Sequence, residues 1–332
     1  MAKGYNPTEY LYSSARIRAL ETKVPTKDRL YHLADGDISQ TLSLLDDMGF
    51  DTVKNGERLS REDMLESLLV NGYNEIKTME CASITDFMRY QYDANNIKAI
   101  IKCAARGVSA ESMLSVLGTV DTETAYKAFA SKDYSAFPEN MARAVLEAEE
   151  AFASTKNPQK IDFIVDKACF TDMAQAAKKI DVPLAQELVR TKIDQTNIMI
   201  TLRILQMNLG KMAEGVLREA YISGGSFGEE LFVGALELGV EALVSEIARA
   251  GYEKLAEAIE NGETLGALER RVDDLWLLKA KEAKRVSFGA EIAIGYIAAL
   301  EYAVKNVRII LASKDAGLAP ELIRERLRDC YA

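Results

Sequence analysis

The sequence is poor in the residues from which small metal and disulfide modules are built. It contains four cysteines, none of them in a Cys-x-x-Cys pair, and a single histidine, His32. The cysteines are Cys81, Cys103, Cys169 and Cys330. Their spacing excludes the common cysteine-rich zinc modules and argues against a disulfide framework. His32 alone cannot supply a two-histidine metal site, so we expect no metal and no cofactor.

Basic charge and long apolar runs are also lacking. Lys and Arg total 41 against 51 Asp and Glu, which gives a net charge of −10. An acidic chain is poorly suited to nucleic acid and is repelled by an anionic membrane surface. The most apolar stretch, 286–300, is interrupted by Glu291 and is too short to cross a bilayer. The first seven residues hold no apolar segment. We expect no nucleic-acid partner, no direct lipid insertion, no signal peptide and a cytoplasmic location.

Proline is scarce, with six residues in the chain. The stretches between prolines are rich in Ala, Leu, Glu, Lys, Met and Arg, which favour helices, whereas alternating strand patterns are rare. Helix start signals occur at Ser60, Ser109, Asp121, Thr264 and Pro320, and helix stop signals at Gly107 and Gly317. The pattern therefore predicts an all-α chain with about 14 to 18 helices.

One amphipathic pattern occurs three times. Its apolar residues are spaced three and four apart, which puts them on one helix face. The first copy is Phe87, Tyr90, Ala94, Ile97, Ile101, Ala104 and Val108. The second, 101 residues later, is Leu188, Thr191, Gln195, Ile198, Leu202, Leu205 and Leu209. The third, shifted by 210 residues, is Ile297, Leu300, Val304, Val307, Leu311, Lys314 and Leu318.

Polar positions match across the copies as well. Asn96, Asn197 and Asn306 coincide, and Asp93 coincides with Asp194, although the third copy has alanine there. We interpret the asparagines as half-buried amides that bond to a neighbouring helix. A unit of about 105 residues predicts three helical repeat domains at 1–108, 109–212 and 213–332. Periodicity leaves open whether these units stack linearly or close around a pseudo-threefold axis.

Acidic clusters are the main candidates for chemistry. Asp46, Asp47 and Asp51 form one group, and Asp273 with Asp274 forms another. Both resemble the aspartate-rich Mg²⁺ sites of all-helical prenyl-diphosphate enzymes, which need carboxylates on facing helices. Neither cluster has the residue spacing of such a Mg²⁺ site, and we interpret both as solvated helix ends.

Three further features favour structural roles. The loop 223–228 is rich in glycine but lacks the Gly-Lys-Ser/Thr ending of a P-loop, as does 209–212, so each is interpreted as a flexible helix connection. Basic residues between 270 and 285 surround the only tryptophan, Trp276; interleaved acids favour a charged outer face with Trp276 pointing inward. His32 is interpreted as a packed or surface residue. We therefore expect no catalytic residues.

Three stretches together carry a family resemblance. They are the N-terminal Tyr12–Glu21 (YSSARIRALE), the block Tyr296–Lys314 (YIAALEYAVKNVRIILASK) and the closing Gly317–Tyr331 (GLAPELIRERLRDCY). They resemble the C subunit of V-type and archaeal A-type ATPases, which is similar to the d subunit of the eukaryotic enzyme. Chain length and the threefold pattern agree with this family along essentially the whole sequence.

The resemblance implies a funnel-shaped, all-helical protein of three similar domains. Such a protein is expected to couple the central-stalk subunits to the membrane rotor ring of proteolipids, on the cytoplasmic face. It would transmit torque during ion pumping or ATP synthesis without catalysing a reaction. The resemblance assigns no partner-binding residue, and two alternatives stay open: a general helical scaffold for another cytoplasmic protein, and a Mg²⁺-dependent prenyl-type enzyme.

Overall fold

The computed structural model describes residues 5–332, which fold into sixteen α-helices and one short antiparallel hairpin. The hairpin pairs β1, Val53–Lys54, with β2, Glu57–Arg58. The prediction of an all-α chain is therefore confirmed, and the number of helices lies within the predicted range.

The backbone forms two compact units, residues 5–85 with 273–332 and residues 86–272. The first unit contains α1 (Leu11–Glu21), α2 (Lys27–Asp35), α3 (Ile38–Asp47), α4 (Arg61–Lys77), α15 (Glu291–Asp315) and α16 (Pro320–Arg326). The second contains α5 (Asp86–Arg106), α6 (Thr122–Ser131), α7 (Glu139–Thr155), α8 (Pro158–Ile180), α9 (Pro183–Met207), α10 (Ala213–Ala220), α11 (Glu229–Leu238), α12 (Glu241–Arg249) and α13 (Glu253–Glu260). Helix α14 (Leu265–Ala280) begins in the second unit and ends in the first. The three-domain division predicted from the sequence groups residues by similarity, not by contact, and it stays a prediction.

Most helix boundaries follow the expected signals. The predicted start at Ser109 was wrong, because its hydroxyl accepts from the Glu111 amide at 3.2 Å ahead of a three-residue 3-10 turn, Glu111–Met113, and no α-helix begins there. The Ser60 hydroxyl accepts a hydrogen bond from the Asp63 amide at 3.1 Å, and Asp121 accepts one from the Thr124 amide at 2.9 Å. Pro320 is the first residue of α16. A capping side chain satisfies an amide that has no partner inside the helix. Gly107 and Gly317 follow α5 and α15 with φ of 67° and 70°, the left-handed conformation that glycine adopts without strain.

Helix α15 forms the centre of the first unit. It packs against α1, α2, α4 and α16, and most of its residues are buried. Gly72 of α4 faces Leu300 of α15, and a Cβ at Gly72 would overlap the Leu300 side chain. The missing side chain lets the two helices approach closely, so their packing depends on a glycine inside a helix that would otherwise favour alanine.

Helix α8 is the corresponding support of the second unit. Its neighbours α7 and α9 are joined to it by two-residue links and run antiparallel to it. Helix α5 also packs on α8, where Lys98 pairs with Asp166 at 2.7 Å and Lys102 with Asp162 at 2.5 Å. Because the residue number rises along one helix and falls along the other, these pairs show that α5 is antiparallel to α8.

Candidate functional site

The three matched asparagines make the same contact in three places. Each side chain is almost fully buried, donates to the carbonyl of one residue and accepts from the amide of that same residue. The pairs are Asn96 with Ser115 (2.8 and 2.8 Å), Asn197 with Ile222 (2.8 and 2.9 Å) and Asn306 with Arg328 (3.3 and 2.8 Å). The predicted structural role is confirmed. The predicted partner was wrong, because each amide bonds to a non-helical segment, either a connection or the segment after α16, instead of a neighbouring helix.

The matched aspartates hold the same connecting segments. Asp93 accepts from the amides of Thr119 and Val120 at 3.0 and 3.1 Å, and Asp194 accepts from the Ser226 amide at 2.6 Å. A glycine lies against each carboxylate, Gly118 in one copy and Gly225 in the other. A Cβ at either glycine would overlap the carboxylate oxygen, so each segment approaches its helix only because the side chain is absent.

Burial dominates the chemistry of both carboxyl groups. It raises the pKa of Asp93 and of Asp194 because the ionised form loses hydration, while the hydrogen bonds they accept lower the pKa in part. The third copy replaces this aspartate with Ala303. Its closing segment is held by Asn306 and by an ion pair from Arg328 Nε to Asp273 at 2.9 Å.

The seven-residue stripes are buried only along part of their length. The first five positions of each copy lie in the interior, with Tyr90 and Leu311 half-buried. At the last two positions the copies differ: Ala104 and Val108 of the first copy are exposed, whereas the corresponding residues of the other two copies are half-buried. The seventh position lies beyond the end of its helix in every copy. The prediction that all seven positions share one continuous helix face was therefore wrong at the C-terminal end, where the chain turns into a connection.

Gln195 is an anomaly in the second stripe. It is 1% exposed, and neither atom of its side-chain amide has a hydrogen-bond partner within the described protein. A buried amide without partners costs free energy because it gives up its hydrogen bonds to water. This agrees with the sequence, in which the second copy departs most from the pattern.

The N-terminal motif joins parts of the first unit that are far apart in sequence. Arg18 donates to the carbonyls of Ala283 and Val286 at 2.7 and 2.8 Å, and the Ser14 hydroxyl accepts from the Gly289 amide at 3.0 Å. A guanidinium group suits this task because its planar fork presents several donors at fixed angles. The motif thus fixes the segment that leads into α15.

The acidic clusters do not form a metal site. Asp46 lies at the exposed end of α3 and accepts from the amide and hydroxyl of Thr52, which confirms a solvated helix end. Asp273 and Asp274 lie inside α14, where the same interpretation was wrong. Asp273 pairs with Lys305 at 2.7 Å and with Arg328. Across residues 5–332 no three His, Cys, Asp or Glu side chains come together as metal ligands would.

The remaining candidates have structural surroundings. Trp276 is buried and stacks on Tyr302 with ring centroids 5.8 Å apart, which confirms that it points inward. Burial also raises the pKa of Tyr302, whose hydroxyl donates to the Asp273 carbonyl. His32 is exposed on α2. The loop 223–228 connects α10 and α11 as predicted, but the Ser226 bond to Asp194 tethers it, so its predicted flexibility does not fit the contacts.

One groove of about 560 Å³ opens on the second unit between α7 and α8. Its lining includes the apolar residues Ala144, Phe163 and Ile164 together with charged side chains of both signs. Lys160, one of the lining residues, pairs with Glu219 at 3.3 Å.

The exposed methionines of the second unit were not predicted from the sequence. Met113, Met207 and Met212 are each at least 60% exposed, although methionine is normally a core residue. Met113 and Met212 each follow the last stripe residue of α5 or α9 within a few positions. Their exposure could have been predicted only if the end of each helix had been known. None of the helices in residues 5–332 combines the length and the apolar composition that a bilayer crossing requires.

Comparison with known proteins gives a consistent result. The family described as ATP synthase (C/AC39) subunit matches residues 13–326. The C subunit of the V-type ATP synthase of Thermus thermophilus is 21% identical over 96% of this chain and 98% of its own length. The C subunit of the A-type ATP synthase of Thermococcus kodakarensis is 26% identical over 96% and 90%. The C subunit of the V-type sodium ATPase of Enterococcus hirae is 23% identical over 74% of each chain. With nearly all of its length matched, the chain belongs to the ATP synthase (C/AC39) subunit family.

Proposed function

We propose that this chain is the central-stalk adapter of a rotary V/A-type ATPase. In this role it joins the soluble stalk to the membrane rotor ring and transmits torque between them. The observation that carries the proposal is the family match from residue 13 to residue 326, together with relatives named as C subunits that align over most of their own length. As a member of that family, the chain has its partners within the rotary ATPase complex.

The role is mechanical and non-catalytic. Torque transmission requires stiffness, and closely packed helices resist deformation because interiors are as dense as organic crystals. The buried amide contacts of Asn96, Asn197 and Asn306 add directional restraints, since each fixes a non-helical segment to a long helix at two atoms. The adapter thus holds its loops in place under load and performs no chemistry.

Charge supports a position on the cytoplasmic face of the membrane. Cytoplasmic loops of membrane proteins are enriched in Lys and Arg, and this chain carries a net charge of −10. Opposite charges speed association and orient the partners. Binding to the ring is therefore expected to weaken as salt concentration rises, and a ring affinity that is the same at low and high salt would refute this electrostatic part of the proposal.

Affinity purification tests the assignment directly. The tagged full-length chain is recovered from detergent-solubilised membranes of its source, and co-purifying proteins are identified by mass spectrometry. We expect central-stalk subunits together with a small, very apolar ring proteolipid. If only soluble proteins are recovered while the ATPase is demonstrably present in the same extract, the adapter role is refuted.

A functional measurement complements the purification. In membranes from cells that lack this chain, we expect ATP hydrolysis to be uncoupled from ion transport, because the stalk no longer turns the ring. Adding back the wild-type chain should restore coupling. Ion pumping at the normal rate in its absence would exclude a torque-transmitting role.

A further inference from the structure

One end of the second unit gathers the ends of four helices. Helices α5, α7 and α9 all run antiparallel to α8, so their C-terminal ends lie beside its N-terminal end. The segment after α5 folds back onto that helix, where the sulfurs of Met113 and Cys103 are 3.7 Å apart. We call this surface, residues 106–116, 155–160 and 207–212, the methionine end.

Within residues 5–332, the exposed methionines are confined to this surface. Of the ten methionines in residues 5–332, seven are buried and three are exposed. The exposed ones are Met113, Met207 and Met212, at 64%, 60% and 67%. Val108 and Val116 add two more exposed apolar side chains within the same segments. Flexible, polarisable methionine side chains adapt to irregular partners and are frequent on binding surfaces. Single apolar side chains scattered over a protein surface are normal, but a group of them on one surface indicates binding.

The charge of the methionine end differs from that of the chain. Its segments contain four cations, Arg106, Lys156, Lys160 and Lys211, and one acid, Glu111. Lys160 pairs with Glu219, and the other three cations are exposed. The chain as a whole has more acids than bases. An apolar surface with a local excess of positive charge therefore interrupts an acidic exterior.

Helix dipoles account for only part of this pattern. Cations are favoured near helix C-termini, where the dipole is negative, so Arg106 and Lys156 have a local reason to be there. The dipole gives no reason to expose Met113, Met207 and Met212 to water. The methionines therefore carry the inference, and the cations decide which partner charge the surface accepts.

We propose that the methionine end docks an acidic, apolar segment of another subunit of the same rotary ATPase. The partner's apolar side chains cover the three methionines, and its carboxylates face Lys156 and Lys211. The proposal rests on the adapter function above and deepens it by assigning one of the two docking surfaces that an adapter needs. A phospholipid surface is the competing occupant, because it also combines negative charge with apolar chains.

Binding to the complex tests the proposal. The full-length chain is added back to ATPase complexes stripped of it, and its dissociation constant is measured. The triple variant Met113→Ser, Met207→Ser, Met212→Ser and the double variant Lys156→Gln, Lys211→Gln should each bind at least about tenfold more weakly than wild type. Because these residues are exposed, the helical circular dichroism and the melting temperature should stay close to wild type, which excludes misfolding as the cause.

Matched controls lie elsewhere on the same unit. Lys178→Gln with Lys179→Gln removes two exposed charges at the opposite end of α8, and Leu146→Ser removes an exposed apolar side chain from α7. Both controls should bind like wild type. Binding as tight as wild type by either the methionine variant or the lysine variant would overturn the inference, and so would equal weakening by the controls. If the wild-type chain itself does not bind the complex, the adapter function fails instead.

Vesicle binding separates the two occupants. Vesicles of phosphatidylglycerol and phosphatidylcholine in equal parts are sedimented with the wild-type chain. We expect no binding that depends on Met113, Met207 and Met212. If the chain sediments with these vesicles and the triple variant does not, the surface binds lipid and the protein-docking proposal is overturned.

Discussion

Replacing Asn197 with alanine removes both hydrogen bonds that hold the segment before α11 to α9. The amide and the carbonyl of Ile222 then lose their partner in a place where both residues are buried. Leaving one buried donor or acceptor unsatisfied costs about 1–3 kcal/mol, so two of them should cost about 2–6 kcal/mol. We therefore expect Asn197→Ala to lower the free energy of unfolding of the second unit by this amount.

The matched positions supply internal controls. Ser115 and Arg328, the partners of Asn96 and Asn306, are half-buried, so water can reach the atoms that lose a bond. Asn96→Ala and Asn306→Ala should then each cost only the net value of two hydrogen bonds, about 1–3 kcal/mol in total. The expected order places Asn197→Ala first. If all three substitutions lower the free energy of unfolding by the same amount, or if Asn197→Ala lowers it by under about 1 kcal/mol, the burial of the partner does not determine the loss of stability.

Hydrogen exchange and pH localise the effect. Urea unfolding gives the total change, and amide exchange at Ile222 should accelerate in Asn197→Ala before exchange across α9 does. In Asn197→Asp, an ionised carboxylate would repel the Ile222 carbonyl, whereas a protonated one can donate to it. That variant should therefore gain stability on acidification relative to Asn197→Ala, and a parallel pH dependence in both would contradict the assigned geometry.

Four more substitutions have expected signs. Gly225→Ala should lower the free energy of unfolding by about 1–3 kcal/mol, because its Cβ displaces Asp194 and breaks a buried hydrogen bond. Gly234→Ala, in open space within α11, should raise the free energy of unfolding by about 0.5–1 kcal/mol. If urea unfolding shows a change of the same sign in both variants, the overlap at Gly225 is not supported. The raised pKa of Asp93 means that the folded state binds its proton more tightly than the unfolded state, so stability should fall as pH rises from about 4 through the raised value. Asp93→Asn should lower stability overall but make stability depend less steeply on pH. If unfolding measured at several pH values shows the same dependence in the variant as in wild type, Asp93 is not its cause. Gln195→Met should raise the melting temperature by removing an unsatisfied buried amide worth about 1–3 kcal/mol, and a lower value would indicate that Gln195 has a partner.

Features that depend on local sequence were predictable. Helix-forming residues, caps such as Ser60 and Asp121, and stops such as Gly107 act within one turn of the chain, so the sequence defines them. The asparagine column was predictable as a structural feature because three similar helices carry it. Its partners were not, since Ser115, Ile222 and Arg328 lie 19 to 25 residues away in non-helical segments of different length.

Features that depend on tertiary contact were missed for a common reason. Asp273 and Asp274 have the sequence pattern of hydrated acids, yet Lys305 and Arg328 reach Asp273 from more than 30 positions further along the chain. Likewise, methionine is an ordinary core residue in a helical pattern, and the exposure of Met207 and Met212 depends on where α9 ends. Composition cannot specify the ion pairs of Asp273 or the exposure of these methionines, because both depend on which elements contact each other in the folded protein.

The order of synthesis has a consequence for the first unit. Helices α1, α2 and α4 leave the ribosome early, but their packing partner α15 begins only at Glu291, roughly 200 residues after residue 85. At a translation rate of about 5–20 residues per second, these helices wait on the order of 10–40 s for that partner. During this interval the apolar surface that α15 later covers is open to chaperones, while the second unit, continuous from 86 to 272, already has all of its chain. Ribosome-bound chains stopped near residue 310, with the start of α15 still inside the exit tunnel and residues up to 272 outside it, should therefore be protease-resistant in the second unit and sensitive in residues 5–85.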